Sequence, residues 1–220
     1  MTNLPQTLLV CSSLIYLSIV AMHLTRKTRV LVLLYVLQST LLAGVLIFLG
    51  IASGDQLLFV AAILSILVKS LSAPKFFLQM IRSHQEYTTS KAYLGTPSSL
   101  VVLLCLALLA YSPVFSSFLV FATTDGLLSY TPLYLAGLLT AFFLMIVRRD
   151  AVSQILGILA LENWIVLIAT VIGVRLSIGV ELAVAFDVIV WIVVAVVFVS
   201  MIERNFGTLN TTVMSQLKEE

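Results

Sequence analysis

Apolar stretches of about twenty residues, broken by short polar turns, recur along the whole of this chain, and that pattern leaves few folds open. At ~1.5 Å rise per residue, such a stretch is long enough for a helix to cross the hydrocarbon core of a bilayer. Seven stretches qualify: residues 8–24, 30–51, 57–78, 100–121, 127–147, 151–174 and 180–202. Hydrophobic residues make up 61% of the chain and charged residues 10%, too few to clothe a soluble domain. The expectation is an all-α polytopic membrane protein of about seven transmembrane helices.

The few cations set the expected orientation. Loops after the first, third, fifth and seventh stretches hold Arg26, Lys27, Arg29, Lys75, Arg82, Lys91, Arg148, Arg149, Arg204 and Lys218, whereas the opposite loops hold Arg175. By the positive-inside rule the N-terminus lies outside and the C-terminus in the cytoplasm, in the cell inner membrane. The first stretch has no preceding cation and no small-residue cleavage site after it, so it reads as a retained helix. Four helices and a cytoplasmic loop at 75–95 make up residues 1–126, three more helices occupy 127–205, and 206–220 form a cytoplasmic tail. Pro74 is expected to kink or end the third helix. Beyond it, Phe76, Phe77, Met80 and Ile81 alternate with Lys75, Gln79 and Arg82 at helical spacing, which suits a short amphipathic segment at the membrane surface.

Charges inside the apolar stretches carry the chemistry. Glu162 lies thirteen residues from both Arg149 and Arg175, or ~20 Å from each end of its helix. Asp187, twelve residues past Arg175, falls near the same depth in the next helix. An acid at the centre of a spanning helix costs roughly 2.5–3.5 kcal/mol, and two at matched depth ask for a function. Burial there opposes ionisation, so such groups can load and release a proton; the alternative is that each stays protonated as a helix-packing contact. Lys69 is the cation well inside a stretch. It either trades protons or serves as counter-ion to an acid of this chain or of a partner subunit, or it snorkels to the surface. Glu162, Asp187 and Lys69 are therefore the candidate proton-relay residues.

Other polar residues have plainer readings. Asp55, Asp125 and Glu181 suit solvated caps, and His84 an exposed loop. Cys11 and Cys105 suit packed apolar thiols, Trp164 and Trp191 helix packing. Gln154 and Asn163 extend a polar line toward Glu162 or bond between helices. No nucleotide loop, metal cluster, cluster-ligating cysteine set or nucleophile–base pair is visible in the sequence, and no basic block suits nucleic acid. The chain is expected to bind no cofactor and to have no catalytic centre of its own.

The run Gly157-Ile158-Leu159-Ala160-Leu161-Glu162-Asn163 resembles hydrogenase-4 component E, whose members carry a similar Gly-x-Leu-x-Leu-Glu-Asn sequence. The last three helices of that family resemble in turn subunit K of respiratory complex I and the C subunit of multisubunit cation/proton antiporters. Arg148-Arg149-Asp150 before the motif, Asp187 and Glu203-Arg204 after it, and the tail Phe206-Gly207-Thr208-Leu209-Asn210 extend the resemblance over 148–219. It implies a membrane-arm subunit of a group 4 hydrogenase or complex I-like redox complex, with antiporter-like and electron-transfer subunits as partners in the lipid bilayer. Iron–sulfur centres, and nickel–iron centres where the complex is a hydrogenase, are then expected in those partners. Glu162 corresponds to the first relay glutamate of subunit K, and Asp187 stands where subunit K has its second. The alternatives are a structural membrane-arm scaffold that moves no ions, and a subunit of a multisubunit antiporter. A stand-alone transporter fits least, since one Pro-interrupted helix has no counterpart in a second half.

Overall fold

The computed structural model describes residues 4–83, 89–113 and 130–171, together with Ile189, Ile192, Val196 and Ser200. All named elements are helical. Helix α1 runs Leu4–Leu24 and α2 Thr28–Ser53; α3, Gln56–Ser65, passes through a π-helical stretch, Ile66–Ser72, into α4, Ala73–Ser83. Then come α5, Thr96–Ala110, α6, Thr131–Val147, and α7, Ala151–Val171. Among the described residues, four helical stretches are long and apolar enough to cross a membrane: Gln6–Leu24, Thr28–Ser53, Gln56–Arg82 and Ala151–Thr170. Helices α5 and α6, at fifteen and seventeen residues, are shorter. Outward-facing leucines and valines, among them Leu17, Leu33, Val101 and Leu104, are more than half exposed, an arrangement that only a lipid environment or partner helices make stable. The chain is a membrane protein. The stretch expected to form the seventh helix lies outside the described residues, apart from four helical positions of which Ile192 is buried in the core.

The third span behaves differently from the sequence expectation. Pro74 neither ends the helix nor stands alone as its break. The turn widens ahead of it, with Ala73 donating its N–H to Val68, five residues back, and Ser72 Oγ donating to Leu67 O at 2.8 Å. A proline ring collides with the carbonyl four residues earlier, and a π turn opens the spiral where that collision with Ser70 would occur. The amphipathic segment that follows is not a separate piece. It continues the helix as α4 and packs on α2, burying Phe77 and Ile81 while Lys75 and Arg82 stay exposed.

One core joins α1, α2, α4, α6 and α7, with Ile15, Ile19, Tyr35, Leu42, Phe77, Leu144, Leu156 and Trp164 among its members. The core therefore draws on both parts into which the sequence divides at 126, a position outside the described residues. Small residues let α6 and α7 approach. A Cβ added at Gly157 would stand 2.9 Å from the Met145 backbone, and one at Gly137 would enter the Trp164 ring. Trp164 fills the space that Gly137 leaves, edge-on to Tyr16 at 6.4 Å. Bilayer helices gain little from hydrophobic exclusion, so such close packing carries much of their association. At the α2–α3 turn, Gly54 takes φ +69, and the Asp55 side chain accepts from Leu57 N at 3.1 Å, capping α3 as expected. Cys11 and Cys105 are free thiols, but Cys105 is exposed on α5 and is not packed.

Gly157→Ala and Gly137→Ala should each destabilise the protein by about 1–3 kcal/mol through overpacking. Gly44, with nothing within 4 Å of an added Cβ, is the control, and Gly44→Ala should gain up to about 1 kcal/mol of helix propensity. Thermal melting in detergent checks this, and unchanged melting of Gly157→Ala would contradict the packing described.

Candidate functional site

Several polar residues of the described spans gather near one depth. Lys69 stands thirteen residues from either end of the Gln56–Arg82 span, and Glu162 eleven from the start of α7. The fold brings these two helix centres level, and Lys69 Nζ meets Glu162 Oε1 at 3.1 Å. The Lys69 side chain is only 2% exposed and that of Glu162 19%, so the ammonium points inward and does not snorkel. Of the two sequence readings of Lys69, the geometry is that of a counter-ion. The π stretch that carries Lys69 also resets its angle around the helix, a use to which π turns are often put at functional sites.

Helix α2 supplies the rest of the layer. Asn163 Nδ2 donates to Ser39 Oγ at 2.9 Å, and Tyr35, one turn before Ser39 on α2, is fully buried. Gln38, beside Ser39, is fully buried. Thr40 Oγ1 donates to Ser70 Oγ at 3.3 Å, tying α2 to the helix of Lys69. Sequence reasoning passed over this face of α2, although its signal was present: Gln38-Ser39-Thr40 is a polar triplet in the middle of an apolar run, with Tyr35 one turn earlier. Asn163 lies in the layer as a helix-to-helix bond. Asp187, the other acid expected there, lies outside the described residues, as do His84, Asp125, Glu181 and Trp191.

A second polar cluster closes one end of the bundle. The fully buried Arg148, just past α6, donates from Nη1 to Ser90 Oγ at 2.9 Å and from Nη2 to the carbonyls of Met22 and, at 3.1 Å, Thr25. Ser90 Oγ donates to Asp150 Oδ2 at 2.8 Å and accepts from Ser153 Oγ at 2.7 Å. Asp150 in turn accepts from the Lys91 and Ser153 amides, so it caps α7 and holds the loop at once. Backbone bonds from Ser90 N to Arg26 O and from Arg149 N to Lys91 O thread the extended 89–93 segment between the α1–α2 and α6–α7 turns. Gln154 donates to Arg148 O at 2.8 Å and takes no part in a line to Glu162. Burial pushes the Arg148 guanidinium down to about 10, Asp150 raises it and Arg26 lowers it, which leaves it charged at neutral pH. Nearby, His23 is buried against Phe143 with Nε2 3.1 Å from Thr140 O.

The two clusters can do different things chemically. Arg148 binds neutral carbonyls and hydroxyls and acts as a tie between three segments. Lys69 and Glu162 are a donor and an acceptor of a full proton, held together where the surroundings are apolar on either side.

No family model matches the chain, and no solved structure matches it. An uncharacterised protein of Mycobacterium tuberculosis (strain ATCC 25618 / H37Rv), Rv0085, is 26% identical over 195 residues, 88% of each chain.

Two outcomes follow from this geometry. Lys69→Met and Glu162→Gln should each cost about 3–5 kcal/mol by stranding a buried partner, while the double variant should recover most of that loss. Additive losses in detergent melting would contradict the pair. Arg148→Lys should lose about 2–4 kcal/mol, because an ammonium cannot span two carbonyls and Ser90 in the guanidinium's plane. Melting equal to that of the unaltered protein would remove the tie.

Proposed function

We propose that this chain is a membrane subunit of a proton- or cation-translocating redox complex, in which Lys69 and Glu162 hold and pass protons at the middle of the bilayer. The observation that carries the reading is the 3.1 Å pair itself, buried at the centre of two spans. A pair of opposite charges at that depth is a costly way to hold helices together, and intramembrane ionisable residues mark ion and proton paths more often than they serve as struts. Exchange of one proton converts the pair from ammonium and carboxylate to amine and carboxylic acid with no net change of charge. A proton arriving at Glu162 releases Lys69; once Lys69 has passed its own proton on, transfer of the Glu162 proton to the amine restores the ammonium–carboxylate pair. In the full reading the protein has seven transmembrane helices in the cell inner membrane, N-terminus outside, and Asp187 in the seventh helix extends the line beyond Glu162.

The resemblance of residues 157–163 to hydrogenase-4 component E supports a place in the membrane arm of a group 4 hydrogenase or a complex I-like assembly. Antiporter-like and electron-transfer subunits would then be the partners, and the iron–sulfur and nickel–iron chemistry would be theirs. This chain contributes the proton-holding pair and the rigid frame around it.

Glu162→Gln in the purified complex reconstituted in vesicles should keep assembly and electron transfer but lose ion pumping by about tenfold or more. Lys69→Arg, which keeps a cation, should lose less than Lys69→Met. Full pumping by Glu162→Gln would overturn the relay and leave the chain a scaffold.

A further inference from the structure

Between α1 and α2 the outer surface holds a groove of about 250 Å³, lined by Leu14, Leu17, Ser18 and Ala21 on α1 and by Leu34, Leu37 and Leu41 on α2. Its floor is Ser18, whose hydroxyl is turned back onto Ile15 O at 2.7 Å and offers no polar handle to an occupant. From Leu14 to Ala21 the groove runs ~10 Å, most of one leaflet of a ~30 Å hydrocarbon core.

Helical spacing decides what stands at its mouth. The line Leu41, Leu37, Leu34 continues down α2 to Val30 and Lys27, and the line Leu14, Leu17, Ala21 continues on α1 to Leu24 and Thr25. Lys27 is exposed on this line and Arg29 is exposed two residues further along α2, and neither forms an ion pair among the described residues. Residues 1–54 contain no Asp or Glu at all. Among the described residues, therefore, Lys27 stands without an acidic partner at the end of an apolar, chain-shaped slot.

We propose that this groove binds one acyl chain of an anionic glycerophospholipid, with the phosphate held by Lys27 and Arg29. The charge at the mouth selects the headgroup, since each cation near an anionic lipid surface is worth about 1 kcal/mol, and the slot holds the chain through leucine contacts. A helix of a partner protein would need the mouth to be apolar or acidic along its length, whereas a lipid puts its charge at the depth where Lys27 and Arg29 lie. The site is independent of the relay at Lys69 and Glu162, from which it faces away on the outer surface of α1 and α2.

Native mass spectrometry of the detergent-purified full chain, with any partners that accompany it, tests the proposal with phosphatidylglycerol and phosphatidylcholine of identical acyl chains. The unaltered protein should retain phosphatidylglycerol about tenfold more than phosphatidylcholine. Lys27→Gln combined with Arg29→Gln, both on the exposed surface, should bring the two lipids level. Ala21→Phe, which fills the slot, should reduce retention of both. Equal retention of the two lipids by the unaltered protein would overturn the proposal, as would a photo-crosslinker placed at Leu17 that captures a protein and no lipid.

Discussion

Holding an ammonium and a carboxylate at the middle of a hydrophobic bundle is the constraint around which the rest of this structure is arranged. Neither Lys69 nor Glu162 is tolerable there alone, because desolvation of either charge costs several kcal/mol. Their mutual attraction repays that cost only with close approach, and 3.1 Å requires two helices fixed in rotation and in height. The height follows from span length, since both residues lie at the centres of their helices. The rotation follows from the π turn at Ile66–Ser72, which also accommodates Pro74. One local irregularity thus solves a steric problem and aims a charge.

The surrounding frame keeps these settings from drifting. Gly137 and Gly157 bring α6 against α7, and Trp164, two residues past Glu162, packs into the space that Gly137 leaves. Asn163 bonds to Ser39 on α2, so the two residues that follow Glu162 both anchor α7 to its neighbours. At the end of the bundle Arg148 ties the α1 carbonyls to the loop at Ser90 and, through Asp150 and Ser153, to the first turn of α7. The helix that presents Glu162 is therefore fixed at its start and its middle. The proton-passing role proposed for this pair would need short, reproducible distances, and this frame supplies them.

Much of this was legible in the sequence, for physical reasons that can be named. Span length and the scarcity of charge make the membrane helices plain, and the depth of Glu162 and Lys69 follows from counting residues. The sequence left open whether Lys69 faces inward, because a long side chain five residues before a proline can turn either way. Only the angle set by the π turn decides it, and hydrogen-bond register is not written in composition. Tyr35, Gln38 and Ser39 were legible as a polar break in α2 but drew no attention beside the formal charges. The cluster around Arg148 was hidden for a different reason. Arg26, Ser90 and Arg148 are far apart in sequence, and a cation in a polar turn reads as solvated until the loop that covers it is placed. The segment after Pro74 carried a true amphipathic signal, yet periodicity cannot tell whether its apolar face meets lipid or another helix.

The groove proposed for lipid and the layer that holds the buried pair lie on different faces of α2, one lined by Leu34, Leu37 and Leu41 and the other by Ser39. That division lets α2 serve as the partition between lipid and the polar interior. The central claim is the contact across that interior between Lys69 and Glu162. Solid-state NMR of the protein in lipid bilayers, with ¹⁵N in lysine and ¹³C in glutamate side chains, measures it directly. The account predicts a dipolar coupling between one lysine Nζ and one glutamate carboxyl carbon at contact distance, lost in Lys69→Met. A spectrum with no such coupling, and with the Lys69 ammonium in contact with water or lipid headgroups, would contradict it.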